Sequence, residues 1–217
     1  MTARDPIPES RLPVAGAVLL ATGLAAIRPD WLGVLPNLVL PVGCLLLLAA
    51  LLLSDRGRVA TASRGWRACS IALAALVTLA AMESTVMLTA DLMRGTGHTA
   101  SASALLAVSG IVWSLNVVAF SLLYWELDGG GSAARAARRP PFPDLAFPQQ
   151  LSPHLAPPGW RPLYVDYLYL AFTNMTAFSP TDVMPLAVWA KGLMSLQALV
   201  SLLILMLVVS RAINIMS

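Results

Sequence analysis

An all-α membrane protein is the fold class that this sequence predicts. About six helical segments are expected, five or six of them transmembrane, with a pore-loop or re-entrant hairpin near the C-terminus. Three observations lead there. The 217-residue chain is 58% hydrophobic and only 12% charged, whereas soluble domains carry roughly 25% charged residues. Its apolar residues fall in long runs separated by polar turns, as membrane helices do. The stretch from Tyr164 to Met216 reads as helix, polar proline-containing turn, helix. Irregular backbone at membrane depth is tolerated only where it lines a cavity or is buried in protein. The spans use up most of the length, so no separate soluble domain of ordinary size fits. Three regions are predicted: a four-helix membrane region over 1–125, a Pro/Gly-rich ordered strap over 126–162, and a pore-loop-like helix–loop–helix unit over 163–217.

The first apolar run is Leu12 to Ile27, after a short polar tail. At 1.5 Å per residue it reaches ~24 Å, short for a hydrocarbon core of ~30 Å. A signal peptide is the competing reading of this stretch. Arg28, Pro29 and Asp30 make a turn, and Trp31 suits an interface. The second span lies within Val34 to Leu53, with Pro36 and Pro41 in its first turns, where proline costs least or kinks the helix. Between Ser54 and Arg67 stand Arg56, Arg58, Arg64 and Arg67 against a single Asp55. Such an excess of arginine places a loop in the cytoplasm, and with it the N-terminus.

Ala68 to about Met93 is the third span, and Glu83 lies inside it. An ionisable group in a span costs about 2.5–3.5 kcal/mol on insertion scales, so it faces protein or water. Glu83 is therefore an ion or proton site, or a glutamate that ties helices together. Ala104 to Trp125 is the fourth span. Ser109, Trp113 and Asn116 share one face of it, and Asn116 is expected to bond across to another helix. Glu126 to Pro162 holds eight of the sixteen prolines. That composition argues against a helix or a buried strand. The large apolar residues Phe142, Leu145, Phe147, Leu151, Leu155 and Trp160 instead predict an ordered, extended strap.

Leu163 to Phe178 is a short segment made polar by Asp166, Thr173, Asn174 and Thr176. Pro180 and Pro185 then halt helical geometry. The last span runs from Leu186 or Ala187 to about Val209. Gln197 and Ser201 lie on one face, a stripe that lines a water path or packs on another helix. The segment 163–178 either crosses fully or re-enters from the side on which the strap lies.

Chemistry-bearing motifs are few. The net charge of +3 rests on arginines, Lys191 being the sole lysine. In a membrane protein these report orientation rather than a nucleic-acid partner. Cys44 and Cys69 sit in or beside apolar runs without partners at metal spacing and read as packing residues. His98 and His154 stand alone, so neither a metal site nor a cofactor is expected. An enzyme would need paired carboxylates or a nucleophile with its base, and no such set stands out.

Two resemblances rest on particular residues. The run from Phe172 to Pro185, FTNMTAFSPTDVMP, resembles a degenerate potassium-channel pore signature. Thr176, Asp182 and Pro185 match it, while Ser179, Pro180 and Thr181 stand where Gly-Tyr-Gly would be. The glycines of that filter let carbonyls aim at the ion, so this departure argues against selectivity of the potassium type. YWELDGGG (Tyr124 to Gly131), DLAFPQ (Asp144 to Gln149), APPGWRP (Ala156 to Pro162) and the stretch from Asp166 onward resemble an uncharacterised bacterial family of small multi-span, ion-channel-like proteins. That family resemblance says little about mechanism; the pore-loop reading expects a homo-oligomer in the bacterial inner membrane that passes a monovalent cation. Thr176, Ser179, Thr181 and Asp182 would be its constriction, and Gln197 and Ser201 its vestibule or a helix-packing seam. A non-conducting membrane scaffold that binds a partner or lipid is the alternative.

Overall fold

Among the described residues, six apolar or amphipathic helices form the body of the protein. The computed structural model describes residues 12–34, 38–54, 64–95, 97–136, 142–176 and 182–216. Helix α1 is Leu12–Ile27, α2 Val39–Ser54, α3 Arg64–Arg94 and α4 Ala102–Leu127. Two short helices, α5 (Ser132–Ala136) and α6 (Pro148–Leu151), lie in the strap, followed by α7 (Tyr164–Thr176) and α8 (Val188–Met216). Helices α3, α4 and α8 are long and apolar enough to cross a membrane, while α1 and α2 are shorter apolar helices.

Local chemistry explains the helix ends. The Ser101 hydroxyl accepts from Ala104 N at 3.2 Å and caps α4, satisfying a donor that has no partner within the helix. Asp166 reaches back to Leu163 N at 2.7 Å at the start of α7. Arg28 and Pro29 end α1, and a single 3-10 turn over Asp30–Leu32 carries the chain toward α2.

Helix α4 is the central post. It packs against α1, α3, α7 and α8, and its C-terminal half from Leu115 is almost wholly buried. Helix α8 is the reverse, exposing Leu196, Leu199, Leu202, Leu203 and Met206. A helix that is apolar all round and exposed on most of its faces suits a lipid environment.

The strap departs from its expectation. A two-residue strand, β1 (Leu145–Ala146), is buried and pairs antiparallel with β2 (Met184–Pro185), in register Leu145 to Pro185 and Ala146 to Met184. Prolines do not prevent this. Leu145 and Ala146 lie between Pro143 and Pro148, so both keep their N–H groups, and Pro148 starts α6 where a missing N–H costs nothing. Phe147 then packs on Trp160 and Tyr167, fixing the strap to the body.

Contacts along the helices give their directions. Tyr164 lies beside Ser121 and Phe172 beside Trp113, so α7 runs antiparallel to α4. Gln197 bonds Ala171, and Ser201 bonds Met175, so α8 runs parallel to α7. The backbone N–H groups of Leu186 and Ala187 donate to Asp144 O at 2.8 and 3.2 Å. Residues 184–187 are therefore back at the end of α4 from which α7 departs. Helix α8 then runs to the opposite end, where Arg211 Nε donates to Thr99 O at 3.4 Å.

Candidate functional site

Among the described residues, polar groups in this apolar body gather in four places. The first is the seam between α7 and α8. Gln197 is fully buried. Its Nε2 donates to Ala171 O at 2.9 Å, and its Oε1 accepts from Tyr124 OH at 2.7 Å and from Asn174 Nδ2 at 2.8 Å. Asn174 also donates to Met194 O at 3.0 Å. One turn on, the Ser201 hydroxyl donates to Met175 O. Met175 lies in the last turn of α7, where intrahelical donors run out, and Ala171 lies one turn before it. Gln197 and Ser201 thus clamp the C-terminal end of α7 onto α8, and Tyr124 adds α4 to the clamp.

Thr176 ends α7 with its hydroxyl on Thr173 O at 2.7 Å. Asp182 is exposed. Ser179 and Thr181 lie outside the described residues. Replacing Gln197 by Leu would leave two donors, those of Tyr124 and Asn174, without their acceptor in an apolar seam. An unsatisfied buried group costs about 1–3 kcal/mol. Gln197→Leu is expected to destabilise the detergent-solubilised protein by about 2–4 kcal/mol on that basis. Leu199→Ala on the exposed face of α8 should change little, and equal melting shifts for the two would refute the clamp.

The second place is the junction of α4, strap and α7. Asp128 is 2% exposed. Its Oδ1 accepts from Asp144 N at 3.2 Å and Leu145 N at 3.1 Å, and its Oδ2 accepts from Tyr167 OH at 2.6 Å. Asp144 answers by accepting from Gly129 N at 2.9 Å. Arg135 donates to the carbonyls of Trp125 and Asp128, both at 2.7 Å, and its guanidinium lies over the rings of Trp125 and Tyr167. The chain turns here through Gly129, Gly130 and Gly131, all at positive φ. A Cβ on Gly131 would sit 3.1 Å from Glu126 O, so both conformation and space select glycine.

The third place lies at the other end. Arg28, 3% exposed, donates to Leu32 O at 3.3 Å, to Ser84 Oγ at 2.7 Å and to Glu83 Oε2 at 3.3 Å. Glu83 Oε1 accepts from Val34 N at 2.5 Å. Glu83 therefore ties the α1–α2 turn to α3. Farther along α3, buried Asp91 accepts from Thr99 Oγ1 at 2.7 Å and lies 2.9 Å from His98 Nδ1. The His98 ring stacks on Trp31.

The fourth is the interface of α3 with α4. Asn116, fully buried, donates to Thr85 Oγ1 and to Val112 O, each at 2.8 Å. Among the described residues no three His, Cys, Asp or Glu side chains group closely enough to hold a metal ion.

Several of these roles were not assigned from the chain alone. Arg28 reads as a turn residue there, although it is the partner of Glu83. Asp128 stands inside YWELDGGG, and an acid followed by three glycines is the signal that could have marked it as a buried anchor. Comparison with protein-family models, curated proteins and solved structures finds no match to this chain. Its function must be argued from this geometry.

Proposed function

We propose that the chain is an integral membrane protein of pore-loop type, in which 164–187 re-enters the bilayer from the face carrying the strap. Copies assemble so that Thr176, Ser179, Thr181 and Asp182 line a path for monovalent cations. The observation supporting this is that both ends of 164–187 lie at the same end of the helix bundle. Helix α7 has 13 residues, and at 1.5 Å each it advances ~20 Å, short of a full crossing of ~30 Å. Its C-terminal end then points into the bilayer between α4 and α8. The negative end of a helix dipole at that depth favours a cation, and a ring of Asp182 carboxylates would add to it.

In this reading α1, α2, α3, α4 and α8 cross, and the arginine-rich loop and the strap share the cytoplasmic face of a bacterial inner membrane. Selectivity of the potassium type is not part of the proposal, because Ser179 and Thr181 stand where the filter glycines would be. Gln197 and Ser201 are committed to the α7–α8 clamp, so the path lies between copies rather than along these side chains.

That same commitment favours one second reading, a non-conducting membrane protein in which the hairpin is purely structural. Liposome flux separates the two. The pore reading expects sodium or potassium flux from reconstituted protein that falls about tenfold in Asp182→Ala, equivalent to ~1.4 kcal/mol on the barrier. A cysteine at 182 should react with an impermeant reagent only from the side of the arginine-rich loop. Absence of flux leaves the structural reading, and labelling from the opposite side alone overturns re-entry.

A further inference from the structure

The strap has two unlike sides. Leu145, Ala146 and Phe147 are buried, and Phe147 packs on Trp160 and Tyr167. The other side is open and apolar. Leu151 ends α6 and Leu155 ends a 3-10 turn over Pro153–Leu155, and they are 52% and 75% exposed. No Asp, Glu, Lys or Arg occurs anywhere in 145–160. An exposed apolar patch without charge marks a surface that meets protein or lipid rather than water.

The backbone of the segment favours lipid. Within 147–160, Pro148, Pro153, Pro157 and Pro158 have no N–H. The N–H groups of Phe147, of the three residues from Gln150 to Ser152, and of Leu155, Ala156 and Trp160 all donate within the segment. Peptide donors stripped of water are costly unless paired, and few are left here to be stripped. The same economy disfavours a protein that adds a strand, because such a partner needs free donors.

Position agrees. Trp160 lies on the strap, Tyr124 and Trp125 in the last turn of α4, Tyr164 and Tyr167 in the first turn of α7, and Trp189 in the first turn of α8. Such residues collect at the boundary between hydrocarbon and water. The open side of the strap also has apolar neighbours in the chain. Leu163 and Val165 where α7 begins, and Leu186 and Val188 where α8 begins, are all exposed.

We infer that 148–160 is an interfacial anchor, lying in the headgroup region of the bilayer with Leu151 and Leu155 dipped into the acyl boundary. The partner is the lipid of the same membrane that α4 and α8 cross. Since β1 pairs with β2, and Asp144 O accepts from Leu186 and Ala187, a seated strap fixes the depth of the hairpin's return. The inference rests on the placement of α4 and α8 across the bilayer, and not on conduction.

Spin labelling of the full chain in vesicles of palmitoyl-oleoyl phosphatidylethanolamine and phosphatidylglycerol tests it. Leu155→Cys and Leu199→Cys each carry the nitroxide in a Cys44→Ala/Cys69→Ala background. Collision with oxygen, which dissolves in lipid, is compared with collision with a water-soluble nickel chelate. At 155 oxygen should dominate, by less than at 199 on the exposed face of α8. Adding Leu151→Glu should shift the strap from inserted to lifted by about tenfold or more, the worth of burying one leucine, and raise the nickel signal at 155. Nickel dominant at 155 of the otherwise unaltered strap would put the face in water and overturn the inference. Exclusion of both reagents would also overturn it, by showing a second copy or another protein over the patch. Nickel dominant at 199 would overturn the membrane placement itself, and the anchor with it.

Discussion

Arg28→Met is expected to cost about 3–5 kcal/mol of stability, the penalty for leaving one half of a buried ion pair without the other. The arginine of the pair is buried and the glutamate partly so. Arg28 has a side chain 1% exposed and Glu83 one 19% exposed, their closest atoms 3.3 Å apart. Glu83 lies ~12 Å along α3 from Asp91, the buried acid at the far end of that helix. The guanidinium also donates to Ser84 Oγ and Leu32 O, so a methionine takes away the donor to Glu83 Oε2 and to the Leu32 carbonyl and leaves the carboxylate only the N–H of Val34. Glu83→Met should cost a similar amount, because it strands the arginine and the N–H of Val34. The double variant Arg28→Met/Glu83→Met should lose much less than the sum, since replacing both charges by apolar groups of similar volume is often nearly neutral. Thermal melting of the four proteins in one detergent gives the coupling. Additive losses, or single variants within about 1 kcal/mol of wild type as for an exposed pair, would show that the pair does not hold the α1–α2 turn.

The contrast between Glu83 and Arg28 shows which parts of this protein are legible in its sequence. The helices were: Leu12 to Ile27 is read off an apolar run stopped by Arg28-Pro29, and α3, α4 and α8 follow from length and hydropathy alone. A lone glutamate in such a run calls for a partner, yet the partner is 55 positions away in a segment that reads as a turn. Pairing across that distance depends on how α1 and α2 fold back on α3, which no local pattern encodes. The stripe holding Gln197 and Ser201 was visible for a similar reason, through helical spacing. Its counterpart was not, because these side chains bond the backbone carbonyls of Ala171 and Met175, and carbonyls leave no mark in residue identity. In the strap, proline content masked the two residues that keep their N–H groups. β1 forms because β2 and the Asp128 carboxylate lie beside it, and both are remote in sequence.

Asp128→Ala should uncouple the strap from the hairpin. Its carboxylate is the common acceptor for α7, through Tyr167, and for the strap, through the N–H groups of Asp144 and Leu145. The next link is already in place: Asp144 O accepts from Leu186 and Ala187, and Ala146 pairs with Met184. Hydrogen bonds to a charged group are worth about 1.5–3 kcal/mol each, so losing three together, beside the Arg135 cation, should destabilise by about 5 kcal/mol or more. Asp128→Asn should recover part of this. Its remaining carbonyl oxygen can still accept from the strap N–H groups, and the Tyr167 hydroxyl can turn to accept from its amide. Amide hydrogen exchange separates coupling from simple loss of stability. Exchange at Leu145, Leu186 and Ala187 should accelerate in Asp128→Ala well beyond any change at Ala81 or Val112 in α3 and α4. Uniform acceleration throughout would mean that Asp128 only stabilises the whole. Selective exposure of the strap and of the start of α8 would make the buried carboxylate the joint through which a force on the strap reaches the return of the hairpin.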